Sequence, residues 1–428
     1  FWIGIFCILD IGGYFEHFSN QALGLDISQY IFLTCIFFPL VSNKIKLNHV
    51  KYNKTLFGLI KFLAFFAFYH ILVYGFFIAN NNINEFLYFI AKFSPEILGS
   101  FAVIPAFLII KRKPHRFYYI FLALASLYLG TYFITVFSDY NIMPLIDGSE
   151  RGNAIRNILP NFVYLQSLIS IAFILIISKL NIKYKNTYIF LAILTIVAVL
   201  MSMSRLRIFI MIAEILIIAV IYANIRKMKI TVYTRVIVIG LIIFLIVINT
   251  VPKYYKAVSE MFTNIYTEFF TDKIETGTFQ TRTEYEIPLQ LSLLKESPVF
   301  GTGYDARWYS GGRGAYNASD TPFLAAIAMF GVTGIIIYLI YYFKIFVIIR
   351  KNFFFLKKHY FSLLSKNSKI IILLYVFCLG VLFMTLVNFF DYFKELVRGE
   401  RAVYIALLLG MLLALKHNMN IKLISNKE

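Results

Sequence analysis

Long apolar runs separated by short polar ones dominate the chain, and the polar interruptions set its organisation. A helix needs about 20 apolar residues to cross the hydrocarbon core of a bilayer. Twelve runs read as spans on this basis: 1–15, 27–41, 56–79, 97–110, 117–137, 158–178, 188–203, 208–224, 233–251, 321–347, 370–389 and 402–416. The pattern breaks once. Between Lys253 and Asp320 the sequence turns polar, with Pro298 and the glycine pairs Gly301/Gly303 and Gly311/Gly312. Within it, Ile287, Leu291 and Leu294 fall on one helical face. This predicts a short amphipathic helix lying on the membrane surface and ended by Pro298. The expected fold is therefore an all-α polytopic membrane protein of about 12 helices with one large external loop. Residues 1–252 carry nine spans, 253–320 the loop, and 321–428 the last three spans and a tail.

Composition agrees. Hydrophobic residues make up 60% of the 428 and charged ones 15%, with a mean hydropathy of +0.75; soluble domains average about 25% charged. The chain opens on Phe1 rather than Met, so we expect leading residues ahead of it, and the first run reads as a span rather than a cleavable signal. Cys7, Cys35 and Cys378 all lie in apolar runs, which suits helix or lipid contact rather than a disulfide framework. The net charge of +19 suggests nucleic acid at first sight. Its distribution argues otherwise: 25 of the 41 Lys and Arg sit in every second loop, including the segments at Lys44–Lys54, Lys111–Arg116, Lys179–Lys185, Arg226–Arg235, Lys344–Lys369 and the tail. The positive-inside rule then places both termini and all these loops in the cytoplasm, and the 253–320 segment outside.

Charge on the outer side calls for another explanation. Ser204-Arg205-Leu206-Arg207 forms a tight outer turn, where the guanidiniums either snorkel to headgroups or offer a fork to phosphate. Glu214 on the following span needs an internal partner in lipid. Arg282 either pairs with Glu286 four residues on or reaches over the membrane surface. Asp320 caps the tenth span, with Pro322 in its first turn, and also lies where a lipid-borne phosphate meets an external acceptor. Arg151 and Arg156 precede the sixth span, Arg313 sits in a Gly-rich loop tip, and Arg398 and Arg401 precede the twelfth. The six histidines are scattered, and no metal constellation or cofactor motif stands out.

Taken together, Ser204-Arg205, then Arg282, then Glu296-x-Pro298-x-x-Gly301-x-Gly303, then Asp320 with Leu324, Gly331 and Gly334, resembles the O-antigen polymerase and ligase superfamily. The motifs cover roughly 204–334. Where the ligases of that superfamily carry a His-Asn pair, this chain reads Asp320-Thr321, which looks like the polymerase (Wzy) branch. The resemblance implies a metal-independent, GT-C-like glycosyltransferase of the bacterial inner membrane. It would act on undecaprenyl-diphosphate-linked glycans at the periplasmic face, with a polysaccharide chain-length regulator as a partner. On that reading Asp320 is the general base, and Arg205 and Arg282 stabilise the diphosphate. Arg207, Arg313, Arg151, Arg156, Tyr304 and Asn317 are candidates for binding diphosphate or glycan. The alternatives are a ligase that delivers glycan to lipid A-core and, from another class, a flippase for lipid-linked sugars. A flippase would favour charges within the spans and an internal repeat.

Overall fold

The computed structural model describes residues 21–22, 25–26, 53–73, 99–137, 150–151, 154–155, 162–178, 180–201, 205–226, 287–302, 322–364, 368–387 and 400–424. These form helices α1 (Lys54–His70), α2 (Val103–Arg112), α3 (Pro114–Phe137), α4 (Phe162–Ser178), α5 (Lys185–Met201), α6 (Arg205–Arg226), α7 (Ile287–Glu296), α8 (Pro322–Leu364), α9 (Lys369–Val387) and α10 (Glu400–Ile424). Besides the helices there are two antiparallel bridges of two-residue strands, β1 (Gln21–Ala22) with β2 (Leu25–Asp26) and β3 (Glu150–Arg151) with β4 (Ala154–Ile155).

Nine of the twelve expected spans coincide with a described helix; those at 1–15, 27–41 and 233–251 lie outside the described residues. Among the described residues, five segments are long and apolar enough to cross a membrane: Lys54–Val73, Pro114–Ile134, Phe323–Leu364, Lys369–Val387 and Tyr404–Ile421. With the shorter apolar helices at Ser167–Ser178 and Lys185–Val199, they give the helical architecture of a polytopic membrane protein.

α9 sits at the centre. Its sequence, KIIILLYVFCLGVLFMTLV, is apolar all round, which suits a helix enclosed by others rather than one with a single buried stripe. It packs against α3, α4, α6, α8 and α10. Two glycines allow close helix approach. A Cβ on Gly410 of α10 would fall 2.5 Å from the Val103 carbonyl oxygen of α2, and one on Gly380 of α9 would fall 2.5 Å from Ile218 Cγ1 of α6. Such small residues suit membrane helices, where association rests on van der Waals packing.

Tyrosines tie the helices together at buried positions. Tyr188 donates to the Tyr118 carbonyl at 2.6 Å, and Tyr118 donates to the Lys183 carbonyl at 3.0 Å. Tyr222 and Tyr360 share a hydrogen bond at 3.1 Å, and Tyr375 donates to Asn352 Oδ1 at 2.6 Å. Ser167 and Tyr404 also bond to each other. Interhelical bonds of this kind in membrane proteins contribute about 0.6 kcal/mol each on average.

α8 differs most from expectation. The apolar pattern predicts a span ending at 347 with a basic loop after it; the helix instead continues to Leu364. Nothing in KIFVIIRKNFFFLKKHYFSLL breaks a helix, and Ile345, Ile348, Ile349, Asn352, Leu356, Tyr360 and Leu363 maintain a buried stripe at three- and four-residue steps. Part of the segment read as loop is therefore a helical extension carrying Lys344, Arg350, Lys351, Lys357 and Lys358. From 332 to 364 this helix is about 50 Å long, well beyond the hydrocarbon core.

α1 runs antiparallel beside it. Tyr69 meets Thr333, Phe66 lies edge-on to Tyr338 at 5.0 Å, and Phe62 stacks on Tyr341 at 5.9 Å. Lys54, at the start of α1, shares a cavity with Ile348 and Lys351. Substituting Gly410→Ala forces α2 and α10 apart. It should cost about 1–3 kcal/mol and lower the melting temperature of the purified protein. Gly130→Ala, whose Cβ meets nothing within 4 Å, should not lower it.

Candidate functional site

The described part of the polar segment begins with α7. One of its faces docks on α8 through Gln290 and Leu293, which are 1% and 0% exposed. Leu291, on the expected apolar stripe of Ile287, Leu291 and Leu294, is 43% exposed and so lies off this docked face. Four leucines lie within six residues here, so the sequence offers two competing stripes. Docking on α8 selects the one containing Leu293. The helix itself, and its end just before Pro298, are as expected.

After Pro298 the chain plugs into a break in α8. Gly331 has φ 63° and ψ −177°, a backbone conformation that glycine alone adopts without strain, and it interrupts α8 close to its start. The turn at 298–302 satisfies the groups the break leaves open. The amides of Val332 and Thr333, first in the second part of α8, donate to the carbonyls of Pro298 and Val299, each at 3.1 Å. The Ala328 carbonyl, in the first part, accepts from the Thr302 amide at 3.0 Å. Gly301, at φ 78°, donates back to Ser297 at 2.8 Å. The two glycines face each other: a Cβ on either would fall 2.5 Å from the other's amide nitrogen.

A hydroxyl relay extends this clasp to α1. Thr333 Oγ1 donates to the Val299 carbonyl at 2.8 Å. Its only proton is thus committed, so the Tyr69 hydroxyl, 2.5 Å away, is the donor of that pair. Around the clasp, Leu291, Val299, Phe300, Phe323 and Val332 expose apolar side chains. Buried nearby, His70 bonds through Nδ1 to the Phe66 carbonyl at 2.8 Å and packs among Phe66, Phe330 and Tyr338.

Of the residues singled out from the sequence, Arg205 opens α6 and Arg207 is its third residue; Arg151 lies in β3. Arg156, Arg282, Tyr304, Arg313, Asn317 and Asp320 lie outside the described residues. So do Gly303, Arg398 and the Gly311–Gly314 tip. Pro322 takes the first helical position of α8, where its missing amide costs nothing. Glu214 has the internal partner its burial demands: Ser170 of α4 donates to its carboxylate, and Glu214 is 2% exposed.

What the structure does bring together is the glycine motif around Pro298 and Gly301 with the one at Gly331. The described ends of the intervening segment, Thr302 and Pro322, are both tied to the same stretch of α8. Thr302 bonds at Ala328, only six residues along that helix from Pro322, or about 9 Å. Sequence reading did not assign Thr302, Thr333 or Tyr69 a part. The Gly-Val-Thr-Gly spacing at 331–334 was the available signal for Thr333, whereas nothing in the sequence pairs it with Tyr69.

Gly331→Ala and Gly301→Ala each place a Cβ into facing backbone at positive φ. Each should cost about 2–6 kcal/mol from strain and overpacking, seen as loss of monodisperse protein or a melting point lowered by many degrees. Gly58→Ala in α1, where nothing lies within 4 Å, should leave the melting point unchanged or raised.

No curated protein matches the chain. Residues 190–339 match the family described as O-antigen ligase, Wzy_C. That stretch runs from α5 through the clasp into α8. It includes Arg205, Arg207, Arg282, Tyr304, Arg313, Asn317 and Asp320, and leaves out Arg151 and Arg156. Over that stretch, about a third of the chain, the sequence is similar to the O-antigen ligase family.

Proposed function

We propose that the protein is a surface-polysaccharide polymerase, a GT-C-like, metal-independent glycosyltransferase of the bacterial inner membrane. It transfers a glycan from undecaprenyl diphosphate onto a lipid-linked repeat unit at the periplasmic face. The observation that carries this reading is the Gly301–Gly331 clasp. It ties both described ends of the 303–321 segment to one stretch of α8, and Tyr304, Arg313, Asn317 and Asp320 all belong to that segment. Groups that must meet a substrate need such rigid support.

In the proposed reaction Asp320 accepts the proton of an acceptor sugar hydroxyl. The hydroxyl oxygen bonds to the anomeric carbon as the bond from that carbon to the diphosphate oxygen breaks. Undecaprenyl diphosphate leaves with the electron pair. A single displacement of this kind inverts the anomeric centre. The leaving group gathers negative charge, and Arg205 and Arg282 supply preorganised donors for it. Arg207, Arg313, Arg151 and Arg156 add positive potential, while Tyr304 and Asn317 contact sugar. In this topology the termini are cytoplasmic, and a chain-length regulator works alongside.

The family match carries the description of a ligase, which favours a second reading: delivery of finished glycan to lipid A-core. Product analysis separates the two. Purified protein given a synthetic lipid-linked repeat unit and a chelator should yield a ladder on undecaprenyl diphosphate. Product appearing only when lipid A-core is supplied would establish the ligase instead.

Within that assay, Arg282→Ala and Arg205→Lys should each slow polymerisation about 10²–10³-fold, because lysine keeps the charge and loses the fork. Asp320→Asn should slow it about 10²–10⁴-fold while keeping the helix cap. Wild-type rates for Asp320→Asn would limit that residue to capping.

A further inference from the structure

A second site lies at the far end of the bundle from the clasp. Where α1 begins, α2 ends, and α8 and α10 pass, the helices enclose a cavity of about 550 Å³. Four lysines line it, one from each helix: Lys54, Lys111, Lys351 and Lys416, with His417 and Asn420 beside them. Among the described residues lining it there is no Asp or Glu. Nearby rings attract two of these cations by their π faces, with the Lys416 ammonium 5.2 Å from the Phe355 ring centre and that of Lys111 6.0 Å from Phe107. Lys111 and Lys416 are each only half-exposed. Four like charges around one partly enclosed volume repel, and an anion there would relieve that repulsion.

The N-terminus of α1 favours the same sign of ligand, although α2 brings its negative C-terminal end to the same place. Asn53, Lys54 and Thr55 all line the cavity, so the positive end of α1 opens onto it. Asn53 accepts the Leu56 amide at 3.1 Å, which fixes that end in place. Asn352, 2% exposed, is held rigidly by bonds to Ile348 and Tyr375 at 2.6 Å each.

Depth completes the argument. Lys351 stands twenty residues beyond Gly331 on α8, or about 30 Å, the thickness of the hydrocarbon core. The cavity therefore lies at headgroup level on the face opposite the clasp. All four lysines come from segments that the positive-inside rule assigns to the cytoplasm. The volume falls in the range of small-ligand sites, and basic pockets between membrane helices on that side suit anionic headgroups.

We propose that this cavity is a binding site for a phosphate or diphosphate group at the cytoplasmic face, presented either by an anionic lipid headgroup or by a soluble phosphate compound. It is separate from the glycan-transfer reading and stands whether or not that reading holds.

The test uses the full chain in neutral detergent, with thermal melting followed against three probes: inorganic pyrophosphate, dioctanoyl phosphatidylglycerol and dioctanoyl phosphatidylcholine. The expected result is a saturable rise in melting temperature with at least one of the two anions and none with phosphatidylcholine. A response to pyrophosphate identifies a soluble phosphate ligand, and a response to phosphatidylglycerol alone identifies a headgroup. The Lys351→Gln/Lys416→Gln variant should weaken the apparent affinity about tenfold or more, while Lys357→Gln/Lys358→Gln, outside the cavity on the same helix, should match wild type. If the first pair does not fold, Lys54→Gln/Lys111→Gln removes the other two cations and should weaken binding likewise. The proposal is overturned by no response to either anion, by an equal response to phosphatidylcholine, by unchanged affinity in the folded cavity variants, or by equal weakening in the 357/358 control.

Discussion

A broken helix has to find partners for the backbone groups it exposes, because a buried amide or carbonyl left unpaired costs free energy. The structure around Gly331 follows from that constraint. Two amides of the resumed helix and a carbonyl of the interrupted one would otherwise go unbonded. The turn at Pro298–Thr302 reaches in and bonds to them, and backbone can approach backbone this closely only because both facing residues lack a side chain. The two glycine motifs, some thirty residues apart in the chain, are thus halves of one contact. Neither glycine is explained by a local turn alone, since each occupies the space that the other's Cβ would need.

The contact also limits what the neighbouring segment can do. A loop whose ends are free samples many arrangements, and ordering it costs roughly 1–2 kcal/mol per residue in backbone entropy. Here Thr302 is bound to α8 and Pro322 begins it, so the ends of the 303–321 segment are already fixed. Closing a loop between ends about 9 Å apart leaves a smaller search for the side chains it carries. The relay from Val299 through Thr333 to Tyr69 extends the same support to α1. Support at this point comes from three chain segments: the turn at Pro298–Thr302, α8 and α1.

The sequence disclosed some of this and concealed the rest for identifiable reasons. Apolar runs located nine of the described helices, because a membrane span is a continuous signal about twenty residues long. Pro298 marked the end of α7 and Pro322 the start of α8, since each acts through its own ring and missing amide. Leu289, Leu291, Leu293 and Leu294 put apolar groups on more than one face of α7, and which face the protein covers depends on α8, a long-range contact that spacing does not encode. The length of α8 was misread because lysines were taken to end a span, although they end only its apolar part. The partnership of Gly301 with Gly331 is a long-range fact: spacing suggests a motif but does not say that its members touch. Arg205 opens α6, and Arg282 and Asp320 lie outside the described residues.

Lysines that serve topology need only be near the cytoplasmic surface, and most long side chains there can spread away from one another. That freedom is what makes the cavity at Lys54, Lys111, Lys351 and Lys416 unlike ordinary positive-inside charge. The rule accounts for each lysine taken singly, yet it gives no reason for four of them, from four helices, to line a single volume with Asn352 locked at its wall. The antiparallel pairing of α1 with α8 produces this convergence: it sets Tyr69 against Thr333 at one end and so brings Lys54 to Lys351 at the other. The packing that supports the clasp and the packing that gathers the lysines are then the same. A change that shifts α1 along α8 would disturb both ends at once.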